Sequence, residues 1–212
     1  MNIEKSSFYA GHCQRNWDHT RFIPDADIET ITNVAMNMPT KQNVLQYELI
    51  VVKDREKIED LFEIAVSVQD DVMSGGTVFR GNEFYRNGQV NASLLLIWVT
   101  SNHPEMKTNP DWKDSSNSDH FSKCIGVGIS AGATALASNH LGYRTGFCNC
   151  FDNKRMQQFI NEHTEYGEFF VTSLGIGYPL EGYDRNQTVV DDEILYTSVI
   201  KADQKRKIVT VV

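Results

Sequence analysis

Residues 126–140 read GVGISAGATALASNH and contain two overlapping patterns that could carry chemistry. Gly128, Ser130 and Gly132 fit G-x-S-x-G, the strained turn that exposes the serine nucleophile of α/β-hydrolases. Gly126, Gly128 and Gly132 are similar to a dinucleotide-binding loop, although the third glycine stands one position late. The first pattern would predict a serine hydrolase, and the second would predict a nucleotide-binding βαβ unit.

Both patterns need a strand directly before the glycines, and residues 118–127 (SDHFSKCIGV) contain no β-rich run. Apolar and small residues recur instead at steps of three or four, which predicts one helix through the segment. Those positions are Phe121, Ile125, Ile129, Gly132, Leu136 and His140. Glycine inside a helix costs about 1 kcal/mol relative to alanine. Because Gly128 and Gly132 share a helical face, we expect another helix or backbone to pack closely there.

Four other segments combine cationic, amide and thiol side chains. They are HCQRNW (12–17), MPTKQN (38–43), LGYRTGFCNCFD (141–152), and LGIGYP (174–179) followed by DRN (184–186). In order and spacing these segments resemble the nitroreductase family of flavin enzymes, over residues 10–188. The resemblance implies an α+β fold, with a central, mostly antiparallel sheet flanked by helices and residues 1–212 forming a single FMN-binding domain. It also implies an intertwined homodimer with FMN at the interface.

The family's arginine-rich N-terminal pattern falls on residues 11–17 and, by resemblance, places His12, Cys13 and Arg15 at FMN. A cation such as Arg15 beside the pyrimidine edge would stabilise the negative charge that appears there on reduction. Gly11 stands where the family has a phosphate-binding arginine, and Cys13 replaces a serine. The alternative is that Arg15 is an ordinary surface charge, which is the commoner role of a single arginine.

The family's P-S-x-x-N pattern matches Pro39, Thr40 and Asn43. By resemblance, the Thr40 hydroxyl and the Asn43 amide would pair with the polar edge of the isoalloxazine ring, whose donors and acceptors need partners when buried. The family's following Q-P-W is replaced by residues 45–47, LQY. The alternative interpretation is a polar helix exit, which proline and asparagine favour by turn chemistry alone.

Two further contacts are implied by the resemblance. Backbone amides at Asn149 and Cys150 would approach flavin N5, where they orient the ring largely independently of side-chain identity. Arg185 would bind the FMN phosphate through its planar guanidinium; alternatively, it simply pairs with Asp184 in a solvated turn. We expect no metal site at Cys148 and Cys150, since no histidine stands at a ligand spacing.

The implied activity is hydride transfer from NADH or NADPH, through flavin N5, to a small acceptor such as a nitroaromatic or a quinone. The scheme has two half-reactions and requires no catalytic side chain, because FMN carries the chemistry. We expect Phe84, Tyr85 and Trp112 to shape the substrate pocket. Three alternatives remain: oxygen-dependent flavin cleavage or dehalogenation, a non-enzymatic flavin-binding or scaffold protein, and a hydrolase that uses Ser130.

Composition narrows the classes of partner and location. The 212 residues carry a formal charge of −8, which repels phosphate backbones and anionic lipids, so neither nucleic acid nor a membrane is an expected partner. The longest apolar run is too short to cross a bilayer, and the N-terminal residues lack the apolar core of a signal peptide. We therefore expect a cytoplasmic protein whose four cysteines are reduced.

The elements that would position these residues follow from apolar periodicity and turn residues. We predict helices at 25–38, 54–73, 121–140 and 152–163, and strands at 47–54, 92–100 and 168–179. The polar segment 102–120 is longer than a simple connection requires and is typical of a loop that covers a site. The β-branched tail 192–212 has no obvious partner in sequence, so we expect it to pair with a neighbouring element or another subunit.

Overall fold

The computed structural model describes residues 1–67, 85–102 and 116–183, and the strands 187–190 and 193–196. Five helices and eight strands are assigned in these ranges. The helices are α1 (Ile3–Ala10), α2 (Asp25–Met36), α3 (Arg55–Ile64), α4 (Ser116–His140) and α5 (Asn153–His163), with a 3₁₀ turn at Lys41–Asn43. The strands are β1 (Tyr47–Val52), β2 (Val66–Ser67), β3 (Tyr85–Arg86), β4 (Leu94–Ser101), β5 (Arg144–Cys148), β6 (Gly167–Gly177), β7 (Gln187–Val190) and β8 (Glu193–Tyr196).

The centre of the protein is a four-stranded antiparallel sheet in the order β1-β4-β6-β5. Every residue of β4 is buried, because the strand lies inside the sheet with helices over both of its faces. Two short antiparallel pairs, β2 with β3 and β7 with β8, complete the described strands. The α+β prediction and its mostly antiparallel sheet are therefore confirmed.

Alternate residues of β4 belong to two different cores. Leu96 and Trp98 pack with α2 and α4 on one face, whereas Leu95 and Ile97 pack with α3 and α5 on the other. This alternation follows from the two-residue period of side chains along a strand. The sheet is thus the middle layer of a helix–sheet–helix arrangement.

The G-x-S-x-G segment lies within α4, so the helix prediction is confirmed and the nucleophile elbow is wrong. Ser130 is fully buried. Its hydroxyl donates to the Ala35 carbonyl at 2.6 Å and accepts the indole N–H of Trp98 at 2.8 Å. A serine held in this way joins α2, α4 and β4 and is not presented to a substrate.

The described part of the chain does not provide the close packing expected at Gly128 and Gly132. A methyl group added at either glycine would meet no atom of the described residues within 4 Å. Their helical face is instead exposed and apolar, with Phe121 exposed to 67% and Ile125 to 48%. The glycine that is closely approached is Gly126, where an added methyl group would lie 2.8 Å from Gln46 Oε1.

Three features of the fold differ from the predicted elements. The polar N-terminal residues form α1, and residues 144–148 form β5, neither of which the periodicity indicated. The helix predicted to continue to residue 73 ends at Ile64, because Val66 pairs with Arg86 and the Ala65 carbonyl accepts the Asn87 N–H at 2.8 Å. In the tail, residues 193–196 pair with β7. This agrees with the expectation that the tail pairs with a neighbouring element.

No helix in the described ranges is both long enough and apolar enough to span a membrane.

Candidate functional site

Two glycines on adjacent strands create a shallow trough at one edge of the sheet. A methyl group added at Gly146 of β5 would lie 2.4 Å from the Gln14 carbonyl oxygen. One added at Gly175 of β6 would lie only 1.9 Å from the Gln89 carbonyl oxygen. The segment 12–17 and the loop 87–91 therefore lie directly against sheet backbone, which only glycine permits at these two positions.

The segment 12–17 is held in this trough at both of its ends. The Gln14 N–H donates to the Thr145 carbonyl at 2.9 Å, and the Trp17 indole N–H donates to the Gly88 carbonyl at 2.7 Å. Arg15 lies between these anchors and is half-buried, with one guanidinium nitrogen 3.4 Å from the Cys13 carbonyl oxygen. Its cationic group is thus positioned beside β5 rather than extended into solvent.

The predicted N5 loop follows directly from the end of β5. Asn149 and Cys150 are exposed there, and the Asn149 Oδ1 atom accepts the Thr172 hydroxyl at 2.6 Å. The Cys13 thiol donates a hydrogen bond to the Phe147 carbonyl oxygen at 3.9 Å. The structure consequently brings the N-terminal segment and the 149–150 loop together at one edge of the sheet.

His12 is directed toward the helix that precedes it. Its ring lies 4.2 Å from the ring of Phe8, measured between centroids, and its Nδ1 atom contacts the Phe8 carbonyl oxygen. The backbone N–H of His12 also donates to the Tyr9 carbonyl at 2.9 Å. The side chain of His12 therefore packs against the end of α1, at the start of the same segment.

Thr40 and Asn43 lie in a tight turn before β1. The Thr40 hydroxyl donates to the Val44 carbonyl at 2.7 Å, which commits its hydrogen and leaves its oxygen as an acceptor. Asn43 has a φ of 59°, in the left-handed region that costs a non-glycine residue conformational energy and that asparagine tolerates best. Such strained positions concentrate at functional sites, which supports Asn43 as a candidate.

A groove of about 360 Å³ adjoins this turn. It runs along the N-terminal half of α4 and is lined by Pro39, Thr40, Lys41, Ser122, Ile125, Gly126 and Ile129. Gln46 lies beneath it, and its buried Oε1 atom has no hydrogen-bond partner among the described residues. This groove is mostly apolar, as a surface that receives a flat ring or a second chain would be.

The two groups of candidate residues occupy opposite edges of the sheet. Thr40 and Asn43 precede β1, whereas Cys13, Arg15 and Asn149 lie along or beyond β5. With the order β1-β4-β6-β5, the edge strands are three interstrand spacings apart, about 14 Å. The structure therefore brings the first group together and the second group together, but not the two groups into one cluster.

Several predicted residues lie outside the described part of the chain. Arg185, the predicted phosphate ligand, lies there, as do Phe84 and Trp112. Of Tyr85 only the backbone is described, as the first residue of β3. Their predicted roles stay predictions.

Sequence reasoning missed the contribution of Gln89. Its carbonyl approaches Gly175, and its side chain packs where a Gly146 side chain would stand. Its buried Oε1 atom has no hydrogen-bond partner in the part of the chain that the structure describes. An orphaned, buried acceptor beside the trough is a group that a bound ligand would satisfy. The sequence NGQVN at 87–91 indicates only a turn. The role of Gln89 becomes visible only when β5 and β6 are seen side by side in the sheet.

Each of the two groups of described residues could meet one part of a flavin ring. Arg15 supplies a fixed cation, the 149–150 loop is exposed for backbone contacts, and Thr40 supplies an acceptor. Flavin needs both donors and acceptors at its polar edge, and this set contains both. Gly11, at the end of α1, offers no side chain to a phosphate, so that charge would depend on residues such as Arg185.

The model of the nitroreductase family matches residues 12–178, which include every candidate position named above except Arg185. No curated protein sequence matches the chain.

Solved structures show a similar fold at low sequence identity. Nitroreductase A from Vibrio parahaemolyticus is 15% identical, with a TM-score of 0.64 over 90% of this chain and 73% of that one. NfrA2 from B. megaterium is 21% identical, with a TM-score of 0.63 over 97% and 78%. A Staphylococcus epidermidis protein described as a candidate NAD(P)H:FMN oxidoreductase is 15% identical, with a TM-score of 0.65 over 98% and 96%.

Proposed function

The chain belongs to the nitroreductase family, and we propose that it is an FMN-dependent oxidoreductase. It takes hydride from NADH or NADPH and passes it to a small acceptor, a nitroaromatic or a quinone, in two half-reactions. The observation that carries this proposal is the packing of the segment that contains Arg15 against β5, the strand that leads directly into the 149–150 loop. Both segments lie within the part of the chain that matches the family.

The chain's own residues would bind and orient the cofactor, which supplies the hydride chemistry when bound. Arg15 stabilises negative charge at the ring's pyrimidine edge, and the backbone N–H groups of Asn149 and Cys150 orient the ring near N5. His12 and Cys13 border this half of the site. Arg185 would bind the phosphate. No side-chain acid or base is needed, so we assign no catalytic residue.

The second half of the site would come from the turn before β1. Thr40 would accept a hydrogen bond from a ring N–H, because its own hydrogen is already donated to Val44. Asn43 would present its amide to the ring edge from a backbone conformation that the turn enforces. Thr40 lines the groove along α4, and Asn43 lies in the same turn.

We propose that two copies of the chain complete the site. The residues of the two halves belong to opposite edges of one sheet, and the resemblance implies a dimer with FMN at its interface. The exposed apolar face of α4, which includes Gly128, Ile129 and Gly132, is a surface that association would bury. Small residues there would let a partner helix approach closely.

Replacing Ile129 with aspartate is expected to convert a dimer to a monomer. Ile129 is 43% exposed in the chain, so the change should spare the monomer fold while placing a charge in the proposed interface. Sedimentation velocity would measure the mass in solution. Phe22→Asp is the matched control, since Phe22 is an exposed apolar residue outside α4. A wild-type monomer, or a dimer that both variants retain, would contradict the proposed interface.

Replacing Arg15 with alanine is expected to weaken FMN binding about 10- to 100-fold, since a hydrogen bond to a charged group contributes about 1.5–3 kcal/mol. The affinity is measured by flavin fluorescence titration of the apoprotein. Arg21→Ala is the control, because the Arg21 guanidinium lies 3.5 Å above the Tyr178 ring and is not proposed to touch FMN. Equal losses in both variants would remove the assigned role of Arg15.

The visible spectrum of the purified protein tests the function itself. Bound FMN that bleaches on anaerobic addition of NADH or NADPH is the expected result, with the released chromophore identified by chromatography. FMN that stays oxidised would favour oxygen-dependent flavin cleavage or dehalogenation. A colourless protein that takes up no added FMN would contradict the flavoenzyme assignment and favour a scaffold role for the fold.

A further inference from the structure

Three of the four cysteines meet at the edge of the sheet beside the glycine trough. Cys148 is the last residue of β5, and its thiol donates to the Cys150 carbonyl at 3.7 Å. The Cys13 thiol donates to the Phe147 carbonyl at 3.9 Å, one residue before Cys148. The fourth, Cys124, is on α4 beside His120.

The three thiols differ in access and in ease of ionisation. Cys150 is exposed, Cys13 is half-buried, and Cys148 is only 4% exposed. The hydrogen bond with the Cys150 thiol, and then burial, raise the pKa of the Cys148 thiol far above its usual range. Cys148 is too buried to meet an external reagent, whereas Cys150 is accessible to one. Once Cys150 is part of a mixed disulfide, its thiol no longer raises the pKa of Cys148, whose thiolate is the nucleophile for the second attack.

The spacing of the pair permits a disulfide. Two residues separated by one along an extended chain are about 6.6 Å apart at Cα, near the upper limit of disulfide geometry. The Cys148 side chain is directed toward Cys150, because its thiol lies 3.7 Å from the Cys150 carbonyl oxygen. Within the described residues no group of thiols, histidines and carboxylates is arranged to hold a metal ion.

We propose that Cys148 and Cys150 are a redox-active dithiol that exchanges with low-molecular-weight disulfides. Cys150, as its thiolate, attacks one sulfur of R–S–S–R, forming a Cys150–S–S–R mixed disulfide and releasing RS⁻, which takes up a proton. Cys148 then loses its proton and attacks Cys150 Sγ, releasing the second RS⁻, which is also protonated. The protein pair is oxidised by two electrons, and one R–S–S–R becomes two RSH.

This pair lies in the loop proposed to contact flavin N5, but the exchange requires neither FMN nor NAD(P)H. Its outcome is therefore independent of the proposed function. A failure of flavin binding would leave the thiol chemistry intact, and the absence of thiol exchange would leave the flavin assignment intact.

Peptide mass spectrometry after exposure to oxidised glutathione tests the proposal. Cleavage after Arg144 and Lys154 places both cysteines in the peptide 145–154, while Cys13 falls in 6–15 and Cys124 in 124–144. We expect 145–154 to lose two hydrogens and to resist alkylation, and dithiothreitol to reverse both changes. Peptide 145–154 that stays fully alkylated while Cys124 reacts, or that cross-links mainly to 6–15, would overturn the assignment.

Two variants assign the roles of the sulfurs. Cys148→Ala is expected to accumulate the Cys150–glutathione mixed disulfide, because the second attack is removed. Cys150→Ser, at an exposed position that should not affect folding, is expected to abolish oxidation of peptide 145–154. Cys124→Ser should leave the disulfide yield unchanged. An intact yield in Cys150→Ser, or no mixed disulfide in a folded Cys148→Ala, would overturn the proposed order of attack.

Discussion

Replacing Gly175 with alanine is expected to destabilise the protein by about 3 kcal/mol, the upper end of the usual cost of overpacking. The added methyl group would stand 1.9 Å from the Gln89 carbonyl oxygen and 2.9 Å from Ala92 Cβ. Neither atom is the end of a flexible side chain that could rotate away. Relief therefore requires the backbone of the loop 87–91 or of β6 to shift.

A shift of this loop would reach the candidate site. The Gly88 carbonyl holds the Trp17 indole N–H at 2.7 Å, and this bond anchors the segment that carries Arg15. We therefore expect Gly175→Ala to weaken FMN binding as well as folding, although residue 175 is not proposed to touch the cofactor. Urea denaturation measures the stability, and flavin titration of the folded variant measures the affinity.

Gly177→Ala is the matched control for this prediction, two residues further along β6. Its added methyl group would meet Trp17 Cε3 at 3.0 Å, the Ser93 hydroxyl at 3.1 Å and the Ser93 backbone nitrogen at 3.3 Å, contacts that shifts of a few tenths of an ångström relieve. We expect a smaller loss of stability there. Equal unfolding midpoints for wild type and Gly175→Ala would contradict the close packing of the loop on the sheet.

Elements with a strong period were predictable from the sequence. In β4 eight consecutive residues are buried on both faces, and the unbroken apolar run indicated this. The helix prediction across residues 121–140 succeeded because spacing over many residues outweighs a local motif, here the G-x-S-x-G match around Ser130. Apolar runs and helical periods can be recognised in the sequence without knowledge of tertiary contacts.

Elements whose stability comes from tertiary contacts were not predictable. The helix α1 is short and mostly polar, and its buried residue Ser6 lies with its hydroxyl 3.4 Å from His140 Nδ1 on α4. The strand β5 is five residues long and contains arginine and glycine, which are poor strand signals. It is defined by its pairing with β6, which local sequence does not encode.

The candidate site shows the same division. Arg15, Asn43 and Asn149 were predicted as site residues through their motifs, because each motif is contiguous in sequence. The glycine trough was not predicted, since Gly146 and Gly175 matter only when β5 and β6 lie side by side with Gln89 above them. The described residues do not pack closely on Gly128 and Gly132, because the period predicts which residues share a face but not what lies opposite.

Replacing Ser130 with alanine is expected to lower the free energy of unfolding by about 1–3 kcal/mol, because the buried Trp98 indole N–H would lose its partner. The indole N–H is now 2.8 Å from the hydroxyl, whereas the Ala35 carbonyl, 2.6 Å from it, would keep its second donor, the Tyr47 hydroxyl at 2.6 Å. Ser130 and Trp98 are fully buried, so water cannot readily replace the lost bond. A nucleophilic serine would behave in the opposite way, with activity lost and stability kept.

Ser138→Ala is the matched control, because Ser138 is a buried serine on the same helix. Its hydroxyl donates to the Thr134 carbonyl at 2.8 Å, and that carbonyl belongs to the preceding turn of α4. Removing this hydroxyl leaves no side chain of another element unpaired, so the loss should be well below that of Ser130→Ala. Chemical denaturation of the three proteins measures the difference. A neutral Ser130→Ala together with a loss of ester hydrolysis would overturn the structural role of Ser130 and restore the nucleophile elbow.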